Sequence, residues 1–301
     1  MIVGVSTRQY GRSLEPLPVA APSRATSKSE VSRTFVTRTR AQMAVFLNRP
    51  LGELDLPVIL VDGVAVGDHV LVVALGLDGT GRKQVLGLRE GTTESEAVAR
   101  ALFTDLVERG LPIERARLFV IDGGKGVRAG IRRVFGAWAV IARCQIHKLR
   151  NVADHLPDGK RAFVRAAMRK AYRSGSATQA ERQLLQLAQS LEPAHPGAAS
   201  SLREGLADSL TVLRLGVGPA LTRTLSSTNP IENLNGTLRR ISRRVKRWHG
   251  GAMAVRWGAS ALFEAEKKFR RVKGYREMPG LLAALCDAST TQTVDMRADV
   301  A

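Results

Sequence analysis

Twice in this chain a continuous apolar run stops at an Asp-Gly pair. The first is Val58-Ile59-Leu60-Val61 before Asp62-Gly63; the second is Leu118-Phe119-Val120-Ile121 before Asp122-Gly123-Gly124. Short apolar runs bounded by turn residues read as strands covered on both faces. Two such strands set side by side bring two carboxylates together at their carboxyl ends, where open α/β sheets bind ligands. Glycine has no Cβ, so a phosphate backbone or a hydrated ion can come close. The competing reading is that each Asp only opens a turn, which Asp-Gly does well.

The second run begins a β-α-β unit. A helix pattern follows it, with Val127, Ile131, Val134 and Phe135 on one face and Arg128, Arg132 and Arg133 on the other. A short strand, Trp138 to Ala142, comes next, and then a polar segment carrying Cys144 and His147. Upstream, strands are expected over Pro57–Val64, Asp68–Leu77 and Arg82–Leu88, the last two joined by the hairpin signal Asp78-Gly79-Thr80-Gly81. An amphipathic helix over Glu94–Arg109 completes the set. Together these elements predict an α/β fold with a mixed five-stranded sheet and flanking helices.

After Lys148 strand signals vanish until about Leu225, and helices are expected over Arg161–Arg173, Thr178–Leu191 and Ala198–Leu215. Then Asn229-Pro230 marks a helix start, with Pro at the first helical position. Ile231, Leu234, Leu238, Ile241, Val245 and Trp248 recur on one face of that helix, and Glu232, Asn235 and Arg239 lie on the adjacent one. Gly250-Gly251 ends it, and a second helix is expected to about Arg271. Near the N-terminus, a proline-rich break (Pro16, Pro18, Pro22) precedes a basic helix beginning at Ser27 or Ser29. Either a recognition helix of a partial helix-turn-helix or a packing helix fits that segment. The divisions expected are 1–50, a helical region; 51–150, the first part of the core; 151–225, an all-helical insertion; 226–287, the final helices; and 288–301, a tail.

The chain of 301 residues carries 46 Lys and Arg against 27 Asp and Glu, a formal charge of +19. Such a balance suits a polyanion, and nucleic acid above all. The excess is clustered: Ile231 to Arg276 holds thirteen cations and three acids. Two cysteines, Cys144 and Cys286, exclude a disulfide framework and a four-cysteine zinc site. Cys144 and His147 have the spacing of half a zinc site, but no second pair completes it. No apolar run is long enough to span a bilayer, so a cytoplasmic protein without a membrane partner is expected.

Phosphodiester cleavage and transfer need an activated oxygen nucleophile, a stabilised leaving oxygen and neutralised charge at phosphorus, all of which paired Mg²⁺ ions supply. Mg²⁺ prefers carboxylate, water and phosphate oxygens. Asp62, Asp122 and Glu232 fit that demand as two strand ends and one helix N-terminus, although Glu232 alone could simply favour the helix dipole. The cations Arg239, Arg240, Arg243, Arg244, Lys246 and Arg247, with Lys148 and Arg150, are the candidate DNA contacts. Trp248 and Trp257 suit core packing better than base stacking.

In combination, VDGV at Asp62, VIDGGKGVRAGI at Asp122, RCQIHKLRNV from Arg143 and STNPIENLNGTLRRISRRVKRW from Ser227 resemble the Mutator-type transposases of bacterial insertion sequences, from roughly Gly4 to Leu285. The resemblance implies a ribonuclease-H-like core with a DDE triad at Asp62, Asp122 and Glu232, the C(2)H signature at Cys144 and His147, and an all-helical insertion before the Glu. It also implies Mg²⁺ as cofactor, with Mn²⁺ a possible substitute. The implied activity is cleavage at transposon ends and transfer of the freed 3′-hydroxyl into target DNA. Partners would be double-stranded DNA, both inverted repeats and target, and further copies of the chain in a dimer or larger assembly; the location would be cytoplasmic, with the nucleoid. Two departures stand out. Arg89 replaces an aromatic of the family pattern, and 61 residues precede Asp62, fewer than such proteins usually carry. The alternative is therefore an N-terminally shortened, non-catalytic DNA-binding remnant.

Overall fold

The first Asp-Gly run becomes the middle strand of a five-stranded mixed sheet in the computed structural model, which describes residues 27–243, 245 and 247–287. The proline-rich break, Arg244, Lys246 and the tail from 288 lie outside the described residues. Strand β1 (Val58–Val66) is antiparallel to β2 (His69–Leu77) on one side and parallel to β4 (Arg117–Ile121) on the other. With β3 (Lys83–Gly91) beyond β2 and β5 (Ala139–Arg143) beyond β4, the order is β3-β2-β1-β4-β5. The β2–β3 turn forms as its sequence suggests: Asp78 Oδ1 accepts from the amides of Thr80 and Arg82, and Gly81 takes φ +76°.

Both faces of the sheet are covered, which is why the central strands are continuously apolar. On one face Leu60 and Val120 pack with Ile231, Leu234 and Leu238 of α10 (Asn229–Ser242) and Leu262 of α11 (Gly251–Glu266). On the other, Ile59, Phe119 and Ile121 pack with Leu102 and Phe103 of α2 (Glu96–Glu108) and Ile131 and Phe135 of α3 (Lys125–Phe135). Each such side chain contributes about 1.5–3 kcal/mol when fully buried. Phe103, Phe119 and Phe135 form a mutually packed triangle with ring centroids 4.9 to 5.8 Å apart.

The region after β5 is helical and has its own core. The polar Cys144–His147 segment enters α4 (Gln145–Asp154), with Cys144 just ahead of its first turn. Helices α5 (Asp158–Tyr172), α6 (Ala177–Leu191), α7 (Pro196–Arg203), α8 (Leu206–Arg214) and α9 (Pro219–Leu225) follow. Val152, Met168, Leu184, Leu202 and Leu210 join α4 through α8 in one cluster. The helix expected over Ala198–Leu215 is in fact two. The chain breaks at Glu204-Gly205, where Gly205 takes φ +61° and the Arg143 guanidinium fills the space a side chain would need.

Two expectations at the basic end of the chain change. Helix α10 stops at Ser242, so Val245 and Trp248 are not part of its apolar face. Like charges four apart (Arg239/Arg243, Arg240/Arg244, Arg243/Arg247) oppose further helix by about 0.2–0.5 kcal/mol per pair. Trp248 instead lies over Gly67 in the β1–β2 turn. At the other end α1 (Lys28–Leu47) is capped by Ser27 and packs on α11: Phe35 stacks on Trp257 at 4.9 Å, and Arg256 donates to Thr39 Oγ1. This packing takes Trp257 into the interior and leaves Arg33, Arg38 and Arg40 outward.

Candidate active site

The register of β1 against β4 pairs Val58 with Leu118, Ile59 with Phe119 and Leu60 with Val120. Continued by two residues, it sets Asp62 beside Asp122. Adjacent strands are about 4.8 Å apart and every second residue shares a face. Asp62 therefore shares the face of Leu60, the one that α10 covers. Here the strands part: β4 ends at Ile121, whereas β1 runs on with β2 to Val66. Asp62 thus stands where β1 loses its parallel neighbour, in a cleft that the sheet itself opens.

Asp122 does open a turn, with Oδ1 accepting from the Gly124 amide at 2.8 Å, and this fixes its carboxylate over the end of β4. The turn-opening reading of Asp-Gly therefore holds for Asp122. Gly123 takes φ +111°, and a side chain there would collide with the Arg143 guanidinium beneath.

Helix α10 supplies the remaining groups. Asn235 is fully buried and its Nδ2 donates to Asp62 Oδ2 at 2.8 Å. Glu232, one turn earlier, accepts from Thr228 Oγ1 at 2.6 Å. The same hydroxyl lies 3.4 Å from both Cys144 Sγ and His147 Nδ1, and His147 Nδ1 is 3.8 Å from Glu232 Oε1. Cys144, His147 and Glu232 offer ligand atoms all within 4.8 Å of one another. The Cys-His pair, half a site in the sequence, is therefore joined to the third acid through the start of α10.

The electrostatics bind these groups into one site. Burial pushes the Asp62 carboxyl up to about 6, the Asn235 hydrogen bond opposes this, and the charges of Asp122 and Glu232 push it higher. Glu94, just before α2, rises to about 7, chiefly by burial and then by the charges of Asp122 and Asp62. His147 is raised by its hydrogen bond to Cys144, against burial, with Asp122 and Glu232 adding to the rise. Burial alone would raise the Cys144 thiol, but hydrogen bonds with His147 and Thr228 outweigh it and hold the thiol low.

In a chain with so many cations, none among the described residues pairs with Asp62, Asp122 or Glu94. A basic surface lies on the outer side of α10 and the turn after it. Arg239, Arg240, Arg243 and Arg247 are exposed, and the first three line an open groove of about 470 Å³ with Gly67 and Trp248. Arg150 is exposed as well. Lys148 departs from the expected DNA-facing set. It is fully buried, with its ammonium against the carbonyl oxygens of Ser201 and Glu204, where it ties α4 to α7.

The sequence reading missed Glu94, whose position ahead of the Ser95 cap looks like an ordinary helix-dipole acid, and the role of Thr228. Asn235 was visible only as a neighbour of Glu232 on the helix.

These features define an α/β protein with a nest of acids at a strand fork, unpaired with Lys or Arg among the described residues and bordered by a basic helix. The chain belongs to the Mutator family of transposases: the family described as "Transposase, Mutator family" matches residues 1–271. It is 29% identical over 287 residues to the transposase for insertion sequence element IS406 of Burkholderia multivorans, an alignment covering 91% of this chain and 70% of that protein. The transposase for IS256 in transposon Tn4001 of Staphylococcus aureus is 27% identical over 261 residues, 81% of this chain and 63% of the relative. The transposase for IS1081 of Mycobacterium tuberculosis is 27% identical over 300 residues, 97% of this chain and 70% of the relative. The chain thus spans roughly two thirds of the length of these relatives.

Proposed function

We propose that this chain is a DDE transposase on a ribonuclease-H-like core. It would cleave DNA at transposon ends and join the freed 3′-hydroxyl to target DNA, with Asp62, Asp122 and Glu232 as the catalytic acids. The observation that carries this reading is the convergence of carboxylates that no Lys or Arg among the described residues pairs with, in a chain of net charge +19. Buried like charges are held together at a cost that a divalent cation offsets.

The donor set fits Mg²⁺, or Mn²⁺ in its place, because it consists of carboxylate oxygens. The buried Asn235 Oδ1 fits as well. It has no hydrogen-bond donor among the described residues, and a water in the shell of a cation would provide one. When bound, a pair of such ions supplies nucleophile activation and charge neutralisation at phosphorus. Asp62 and Asp122 would hold the ions from adjacent strands, and Glu232 from the helix. Thr228 orients the Glu232 carboxylate, Asn235 orients that of Asp62, and Arg239, Arg240 and Arg243 would grip DNA phosphates beside the cleft.

The test is strand transfer by the full chain on a duplex carrying the DNA that flanks its gene, with Mg²⁺ and a target plasmid. Nicked and joined products are expected, and both should vanish in Asp122→Asn and Glu232→Gln at unchanged circular dichroism. Joined product in either variant would remove the triad. DNA binding without any cleavage by the unaltered chain would support the non-catalytic remnant.

A further inference from the structure

Glu94 comes to the cleft from the opposite face of the sheet. Its position is set by glycines. Gly126 and Gly130 of α3 press against α2: a Cβ at Gly126 would strike the backbone of Glu94 to Glu96, and one at Gly130 would stand 2.7 Å from Ala99 Cβ. The helices are thereby locked together at the point where α2 begins. Ser95 caps α2 through the Val98 amide, so Glu94 is the last residue outside the helix and its side chain is free to turn toward the strands.

There, Gly63 of β1 leaves room for it. A Cβ on Gly63, the neighbour of Asp62, would collide with the Glu94 carboxylate. The point where a Cβ on Gly124 would stand lies 3.7 Å from Glu94 Oε2 and 3.3 Å from Asp122 Oδ1. Each of the two Asp-Gly sequences, one inside β1 and one in the turn after β4, therefore has a glycine that borders the same third carboxylate. That carboxylate has no cationic partner and accepts no hydrogen bond among the described residues. The orphan Oδ1 of the fully buried Asn235, hydrogen-bonded through its own amide nitrogen to Asp62, independently marks this cleft as a place for a bound donor.

We propose that Glu94 is a fourth carboxylate ligand of the divalent-cation site, acting with Asp62 and Asp122 from the far side of the strand fork. It rests on the metal-dependent reading of that site. Its role would be to add a carboxylate oxygen to the shell of a bound ion, so that the site draws on β1, the end of β4, the start of α2 and α10.

The experiment is Mn²⁺ binding to the full chain, measured by calorimetry and by the electron paramagnetic resonance signal of free Mn²⁺, with the rise in Tm on adding Mn²⁺ as a second readout. The variants are Glu94→Gln, Asp122→Asn and Gly63→Ala; the last keeps every acid but displaces the Glu94 carboxylate. Glu94→Gln should lose about tenfold or more in Mn²⁺ affinity and most of the metal-induced rise in Tm, while its metal-free Tm stays level or rises. Gly63→Ala should weaken Mn²⁺ in the same direction. Parent-like Mn²⁺ affinity in Glu94→Gln, with affinity lost in Asp122→Asn, would overturn the role of Glu94 alone. Parent-like affinity in both variants would overturn the metal site and Glu94 with it.

Discussion

The amide of Asn235, buried on α10, donates to the carboxylate of Asp62 on β1 at 2.8 Å, one turn along from Glu232. This bond joins the helix that carries one acid to the strand that carries another. Without it, Asp62 would keep its burial and lose the side-chain hydrogen bond that favours its charged form. Asn235→Ala should therefore destabilise the fold by about 1–3 kcal/mol and lower strand transfer at least tenfold. Asn235→Asp should be worse for the metal-free protein, since it adds a buried like charge. Thermal unfolding and a joining assay on the two variants check both statements.

Thr228 is the hinge between Glu232 and the Cys144–His147 pair. Its hydroxyl donates to Glu232 Oε1 and lies against both other residues. Thr228→Val keeps the shape and removes the hydroxyl. Activity should fall about 10- to 100-fold with little change in Tm, and Thr228→Ser should restore most of it. An active valine variant would show that Glu232 needs no orientation from this side.

The raised acids give a pH signature with a definite sign. Asp62 moves from 3.8 to about 6 and Glu94 from 4.5 to about 7. Both hold their protons more tightly when folded, so their contribution favours the fold below the unfolded values and is lost as pH rises through the folded ones. In the metal-free protein, the Tm of the parent relative to Asp62→Asn should drop as pH climbs from about 4 to about 7. Mg²⁺ should abolish the drop, and its binding near the middle of that range should release protons. Calorimetry in buffers of different ionisation enthalpy measures that release.

Cations that look alike in the sequence should separate by experiment. Substituting Arg239, Arg240 or Arg243 by Ala should weaken DNA binding and reduce the slope of log K against log salt by about 0.9 for each phosphate left without its cation. Lys148→Met should leave that slope unchanged. It should instead lower stability by about 1–3 kcal/mol, because the Ser201 and Glu204 carbonyls lose their buried donor. A salt titration beside a melting curve distinguishes the two classes.

Much of the sheet could be read from the chain, because strands buried on both faces write themselves as unbroken apolar runs. Val58–Val61 and Leu118–Ile121 fall inside β1 and β4, and the Asp-Gly stops mark where β4 ends and the cleft opens. The start of α10 was legible too, since Pro230 announces it. What periodicity could not give was the end of α10: the apolar spacing continues to Trp248, while the accumulated positive charge acts against the helix. Nor could it give the break at Gly205, which depends on Arg143 some sixty residues earlier. Glu94 stayed hidden for a similar reason. Its direction is set by α3 glycines packing on α2, a meeting of two elements that no local pattern records. Arg89, odd as a departure from the family pattern, pairs with Asp105 of α2 at 2.8 Å and so braces β3 against the helix that positions Glu94.

The convergence of the acids on one ion-binding cleft is tested most directly by iron-mediated cleavage of the chain. Fe²⁺ replaces Mg²⁺ on the full protein, ascorbate and peroxide generate radicals at the bound ion, and the fragments are mapped by mass spectrometry. Cuts clustered around Asp62, Asp122 and Glu232, suppressed by excess Mg²⁺ and lost in Asp122→Asn, are the predicted result. Cuts confined to other parts of the chain, or a pattern indifferent to Mg²⁺ and to that substitution, would contradict it.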